Sequence, residues 1–188
     1  MRIVSGKYRG KILIPPQSKN IRPTLDKVKQ ALFTKLQFEI PNANVLDLFC
    51  GSGALGIEAL SRNAKLVVFV DNNARSIALT KKNLASIGYD KTNSNEVKVL
   101  LNSYEKALEI LSKQNYVFDI IILDPPYEEV DYYKNALKII EESSLLSQNG
   151  IIVCERLKET KIEQDYFQVL TTKIYGTVAL DYFSLPLH

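Results

Sequence analysis

From residue 44 onward the apolar positions fall in short runs at regular intervals: NVLDLF (44–49), KLVVFVD (65–71), VKVLLN (97–102), FDIIILD (118–124) and GIIVCE (150–155). These runs are short, rich in β-branched residues and nearly unbroken by polar positions, which predicts strands buried on both faces. The segments between them have helical length and periodicity. Strand and helix in alternation predict βαβ units, hence a parallel sheet with helices on both faces. The last two runs, YFQVLTTKIYG (166–176) and VALDYFSL (178–185), leave no room for a helix between them and predict an antiparallel hairpin at one sheet edge. The expected fold class is therefore α/β and Rossmann-like, with a seven-stranded, mostly parallel sheet. Asn63 stands where a helix must stop, and asparagine tolerates the left-handed conformation used there.

Ahead of this pattern, RIVSGKYRGKILIPP predicts two short strands around a Gly-containing turn. TLDKVKQALFTKLQF then places Val28, Leu32 and Leu36 at helical spacing behind Thr24 as the N-cap. There is no repeat or low-complexity linker, so a single domain over residues 1–188 is expected, with a basic extension (1–40) preceding a core (41–188).

Charge changes the picture more than composition does. Residues 1–38 carry nine Lys and Arg against one acid, Asp26, whereas the remaining 150 residues carry fifteen against twenty. A basic arm on an acidic body points to a polyanionic partner such as nucleic acid, with Lys7, Arg9 and Lys11 as candidate contacts. The two cysteines, Cys50 and Cys154, lie far apart and the one histidine is His188, so no metal-ligand spacing and no Ser-His-Asp arrangement is present. The opening MRIVSGKYRGK has no apolar signal stretch, and no window approaches the ~18 apolar residues of a membrane span. A cytoplasmic protein with reduced thiols is expected.

The first run leads into DLFCGSGALG, where Gly51, Gly53 and Gly56 satisfy G-x-G-x-x-G and Asp71 ends the next strand. Strand, glycine loop, helix and strand-end acid together describe an adenosine site. Backbone approaches the ligand closely, the helix N-terminus offers N–H groups, and the acid holds ribose hydroxyls. The pattern also serves dinucleotides. Asp47, just ahead of the loop, suits a cationic group better than a pyrophosphate, which favours S-adenosylmethionine with its ammonium and sulfonium.

Asp124 closes the fourth strand and is followed by Pro125, Pro126 and Tyr127. Ligands of open α/β sheets bind at the carboxyl ends of the strands, so this D-P-P-Y faces the same crevice as the glycines. The prolines lack N–H groups and hold their predecessors extended, so the Asp124 carboxylate and Pro125 carbonyl form a pair of acceptors with few donors nearby. Such a pair matches the two N–H donors of an exocyclic base amine and can aim its lone pair at an electrophilic methyl. Tyr127 supplies a face on which an extruded base can stack.

With these residues in place, the chain resembles the class I S-adenosylmethionine-dependent methyltransferases, and more closely the RsmD family of 16S ribosomal RNA guanine-N2 methyltransferases. The likeness covers nearly the whole chain. It includes MRIVSGKYRGKIL, RPTLDKVKQALF (family R-P-T-x-D-R-V-R-E-A-L-F) and LDLFCGSGALGIEALSR (family L-D-x-F-A-G-S-G-A-L-G-x-E-A-L-S-R). The resemblance implies S-adenosylmethionine as cofactor, with Asp47, Gly51 and Gly53 at its methionine half, Asp71 at the ribose, Ser103 near the adenine, and Phe49, Asn72, Arg22 and Thr24 as further contacts. It implies Asp124, Pro125 and Tyr127 at the target guanine, and a ribosomal RNA partner in the small subunit or its assembly intermediate. A monomer without metal or membrane attachment is expected. Departures from the family pattern are Cys50 for alanine, Asp71 for glutamate, Lys27 and Gln30 for Arg and Glu, and Ser103 where a longer Asp or Asn is usual. D-P-P-Y also occurs in DNA adenine and protein glutamine N-methyltransferases, and a non-catalytic RNA-binding module is the remaining alternative.

Overall fold

The structure is a computed structural model that describes residues 1–16, 24–89 and 94–186. Its elements are α1 (Thr24–Lys35), β1 (Asn44–Asp47), α2 (Ala54–Ser61), β2 (Leu66–Asp71), α3 (Ala74–Ala85), β3 (Val97–Leu101), α4 (Tyr104–Lys113), β4 (Phe118–Leu123), α5 (Asp131–Glu142), β5 (Leu146–Leu157), β6 (Gln168–Tyr175) and β7 (Val178–Ser184). They build a seven-stranded sheet in the order β3-β2-β1-β4-β5-β7-β6. Neighbours pair in parallel from β3 to β5, while β7 is antiparallel to both β5 and β6. The expected edge hairpin is therefore present.

The unbroken apolar runs reflect burial on two sides. Val45, Val67, Phe69, Ile120 and Ile122 join a core with α1, α2 and α3, whereas Leu46, Val68, Val70, Ile121 and Leu123 join a second core with α4 and α5. Alternating residues of one strand thus serve both faces, so neither face can be polar. Asn63 closes the turn after α2 at φ 68°, in the left-handed region as expected. Among the described residues no helix is long and apolar enough to cross a membrane.

The N-terminal segment forms a shorter pair than two full strands. Its limbs run antiparallel through one bridge, Arg2 to Ile12, and three backbone hydrogen bonds, from the Ile3 N–H to the Lys11 carbonyl at 3.0 Å, the Gly10 N–H to the Ile3 carbonyl at 2.9 Å and the Leu13 N–H to the Met1 carbonyl at 3.0 Å. The reason is where its donors go: the N–H groups of Val4 and Ser5 reach Glu58 at 2.8 and 3.0 Å. Those of Lys7 and Tyr8 reach the Ser61 carbonyl and hydroxyl at 2.8 and 3.0 Å. The donors nearest the turn are thus spent on α2, and the ladder between the limbs stays short. Gly6 allows the approach, because it sits at φ +84° and a Cβ there would lie 1.7 Å from the Ser61 carbonyl oxygen. Ile3 and Leu13 are fully buried, so the basic extension is packed into the body.

Candidate active site

Strand order reverses between β1 and β4, and the crevice outside their carboxyl ends is the ligand position of such sheets. β1 delivers the glycine loop there. Gly51 adopts φ +54° with open space where a Cβ would stand, so its backbone faces the crevice unscreened. The loop is anchored from behind: the Thr80 hydroxyl donates to the Gly51 carbonyl at 2.9 Å, and the Cys50 N–H to the Val70 carbonyl at 2.9 Å. The Gly53 N–H closes a turn on the Cys50 carbonyl at 2.7 Å. Asp47 is 1% exposed and accepts the Gly56 N–H at 2.9 Å, which puts it behind the loop, against the first turn of α2. Burial pushes its carboxyl up to about 7, with the Gly56 N–H opposing that rise. Cys50 is buried against Thr80 and its thiol is held well above the ordinary range by burial, the opposite of an activated nucleophile.

The Asp71 carboxylate, at the end of β2, lies against the loop and ties to it. Oδ2 accepts the Gly51 N–H at 2.9 Å and Oδ1 the Asn73 N–H at 2.8 Å, leaving further lone pairs toward the opening. A cleft of about 720 Å³ brings together Phe49, Gly51, Asp71, Asn72, Asp124, Pro125 and Tyr127. These residues come from three strand ends. Ser103 stands apart from this group: its hydroxyl accepts the Lys106 N–H at 3.3 Å as the N-cap of α4. Arg22 and the side chain of Thr24 lie outside the described residues. Lys7 packs on Tyr8 and Tyr89 beside the C-terminal end of α2, the end remote from the glycine loop.

At the end of β4, Asp124 is half-buried and Pro125 buried, while Tyr127 is partly exposed. The β4–β5 register, with Leu123 opposite Cys154, sets Glu155 beside Asp124. Glu155 is 4% exposed and receives the Tyr127 hydroxyl at 3.3 Å. Burial raises Glu155 to about 7 and holds Asp124 well above the carboxylate range, the Glu155 and Asp47 charges adding to the rise at Asp124. Both acids also line a smaller cavity of about 180 Å³ with Met1, Pro16, Asp26 and Lys29.

Sequence reasoning missed several of these residues. Glu155 is the main one: it ends the run GIIVCE and reads as the polar residue that closes a strand. Its one available signal was that the parallel register must bring it level with Asp124. Met1 and Pro16 reach the site only because the N-terminal segment docks on α2. Tyr132, stacked on Phe49 with ring centroids 6.0 Å apart, extends the aromatic wall of the cleft from α5.

The glycine loop, strand-end acid and acceptor pair thus share one cleft, which three carboxyls (Asp71, Asp124, Glu155) line, with Asp47 buried behind the loop. That set fits a ligand with an adenosine and cationic groups. A family model described as conserved hypothetical protein 95 matches residues 1–184. The ribosomal RNA small subunit methyltransferase D of Haemophilus influenzae is 34% identical over 180 residues, covering 95% of this chain and 91% of that protein. Its Escherichia coli namesake is 33% identical over 155 residues, covering 82% and 74%. The solved structure of Escherichia coli yhhF superposes with a TM-score of 0.81 at 28% identity, covering 100% of this chain and 99% of that one. With this fold, this loop and these relatives, the chain belongs to the ribosomal RNA small subunit methyltransferase D (RsmD) family, whose fold is the Rossmann-like class I methyltransferase fold.

Proposed function

We propose that the chain is an S-adenosylmethionine-dependent ribosomal RNA methyltransferase that transfers a methyl group to the exocyclic N2 of a guanine in the 16S rRNA of the small ribosomal subunit. The observation that carries the reading is the convergence of Gly51, Asp71 and Asp124 on one cleft. Bound there, S-adenosylmethionine supplies a methyl group made electrophilic by its sulfonium. The loop around Gly51 and the Asp71 carboxylate hold its adenosine portion, Phe49 and Tyr132 give the cleft an apolar wall, and the surrounding carboxyls complement its positive charge. Asp124 and the Pro125 carbonyl accept the two N2–H donors of guanine, draw the nitrogen toward tetrahedral geometry and fix its lone pair. The new C–N bond would form as the methyl–sulfonium bond breaks and S-adenosylhomocysteine leaves as a neutral thioether, and the proton lost from N2 would pass to the Asp124 carboxylate. Tyr127 stacks on the base.

Two basic surfaces support an RNA substrate. One is the segment with Lys7, Arg9 and Lys11. The other is a groove of about 640 Å³ between α1 and β6, lined by Lys27, Lys35, Lys173, Phe38 and Tyr175. Cations beside exposed aromatic rings suit phosphates and unstacked bases.

The direct test incubates the protein and methyl-labelled S-adenosylmethionine with small-subunit particles from a strain lacking the gene, then identifies the product by nucleoside mass spectrometry. N2-methylguanosine at one position of 16S rRNA is expected; label in adenine, in protein or nowhere contradicts the reading. Asp71→Ala should weaken S-adenosylmethionine binding at least about tenfold by calorimetry, since charged-acceptor hydrogen bonds contribute roughly 1.5–3 kcal/mol each. Unchanged affinity would remove Asp71 from the cofactor site.

A further inference from the structure

Glu155 is a buried acid with little to hold it. Among the described residues it forms no ion pair, and the Tyr127 hydroxyl, at 3.3 Å, is its one side-chain hydrogen-bond donor. A carboxylate offers about four acceptor positions and is costly to desolvate without partners. Its own strand shows the alternative, for Ile152, Val153 and Cys154 beside it are all apolar and buried. Yet Glu155 lines both cavities with Asp124, and it stands level with Asp124 across the β4–β5 ladder. An acceptor held by one 3.3 Å hydrogen bond in the wall of a substrate cleft has room for a donor that the substrate brings.

We propose that Glu155 reads the target base: its carboxylate accepts guanine N1–H while Asp124 and the Pro125 carbonyl accept the N2–H donors. This rests on the guanine-N2 reading above and explains a choice that the D-P-P-Y acceptors cannot make alone. Guanine N2 and adenine N6 are both planar exocyclic amines, and each offers two N–H groups to the same acceptors. They differ in the ring nitrogen beside the amine. In guanine it is N1–H, a donor; in adenine it is N1, an acceptor whose lone pair would face the Glu155 oxygens. One carboxylate therefore attracts the right base and repels the wrong one. The groups facing Glu155 are consistent with that task. Asp124 comes from the β4 end, Asp26 and Lys29 from α1, Tyr127 from the loop, and Tyr133 of α5 donates to the Glu155 backbone carbonyl at 2.5 Å, fixing the strand. Lys29 is already paired with Glu58 at 3.3 Å, so it gives Glu155 no ion pair.

The test compares wild type, Glu155→Gln, Glu155→Asp and Tyr127→Phe in single-turnover transfer to the same deletion-strain particles, with S-adenosylmethionine affinity measured in parallel. Glu155→Gln should bind the cofactor like wild type and transfer about 10- to 100-fold more slowly, the span expected for one charged hydrogen bond. Its acid limb in the pH–rate profile should move to lower pH, because removing the Glu155 charge lets Asp124 ionise more easily. Glu155→Asp should fall between wild type and Glu155→Gln, and Tyr127→Phe, which keeps the ring that stacks on the base and removes the hydroxyl donated to Glu155, should lose clearly less than Glu155→Gln. Transfer by Glu155→Gln within about threefold of wild type overturns the inference. So does an equal loss in Tyr127→Phe, since Glu155 would then serve only to hold the tyrosine. If both Glu155 variants lose cofactor binding, Glu155 is a structural group and the inference also fails. A wild type that makes no N2-methylguanosine instead overturns the underlying guanine-N2 reading.

Discussion

Asp124→Ala is expected to bind S-adenosylmethionine nearly as tightly as wild type and to transfer methyl about 100- to 1000-fold more slowly, the loss seen when one preorganised polar group is removed from a reacting centre. The expectation follows from position. Asp71 and the glycine loop hold one another through the Gly51 N–H, and neither is hydrogen-bonded to Asp124. Removing Asp124 therefore leaves the cofactor cradle intact. The reacting amine, in contrast, loses both its stronger acceptor and its proton sink. Asp124→Asn should be nearly as damaging, because the amide directs an NH₂ group where N2–H donors arrive. Single-turnover transfer at saturating cofactor, with calorimetry for affinity, separates the two effects. Weakened cofactor binding with an unchanged transfer rate would make Asp124 part of the cofactor cradle and remove it from the chemistry.

Much of this site could be read from the sequence because its parts depend on local order. The glycine loop follows a strand and precedes a helix, D-P-P-Y ends a strand, and parallel topology alone carries both to the same edge. What escaped depends on contacts between distant segments. Glu155 and Glu58 look like any other acids in a one-dimensional pattern; only the register of β5 on β4 and the docking of residues 1–13 on α2 bury them. The start of β5 was missed for a related reason. The apolar run starts at Gly150, yet the strand begins at Leu146, where the Ser147 hydroxyl donates to Asp119 at 2.9 Å and Leu146 pairs with Phe118. Ser103 shows the converse. The residue opens α4, and its short side chain caps that helix, away from the residues gathered in the cleft.

Glu58→Ala should be the most destabilising single substitution outside the apolar core, lowering stability by about 3–5 kcal/mol, as for other broken buried ion pairs. Glu58 is fully buried in α2 and gathers four partners: the Val4 and Ser5 N–H groups at 2.8 and 3.0 Å, the Arg62 Nε at 3.0 Å and the Lys29 ammonium at 3.3 Å. Removing it strands two backbone donors and a lysine that is 5% exposed, whose remaining partner is the Arg2 carbonyl. In a chain of this length that cost corresponds to a fall in melting temperature of roughly 10 °C. Adding Lys29→Met should restore part of the loss, since the uncompensated charge is removed with it. The damage should reach the cleft, because Glu58 anchors the segment that carries Met1 and Pro16 to the cavity beside Asp124. Hydrogen exchange at Val4 and Ser5 should accelerate, and S-adenosylmethionine affinity should fall even though Glu58 itself lies behind the site. A Glu58→Ala protein that melts within a degree or two of wild type, with Val4 and Ser5 still protected, would show that the N-terminal segment is held by Ile3 and Leu13 alone.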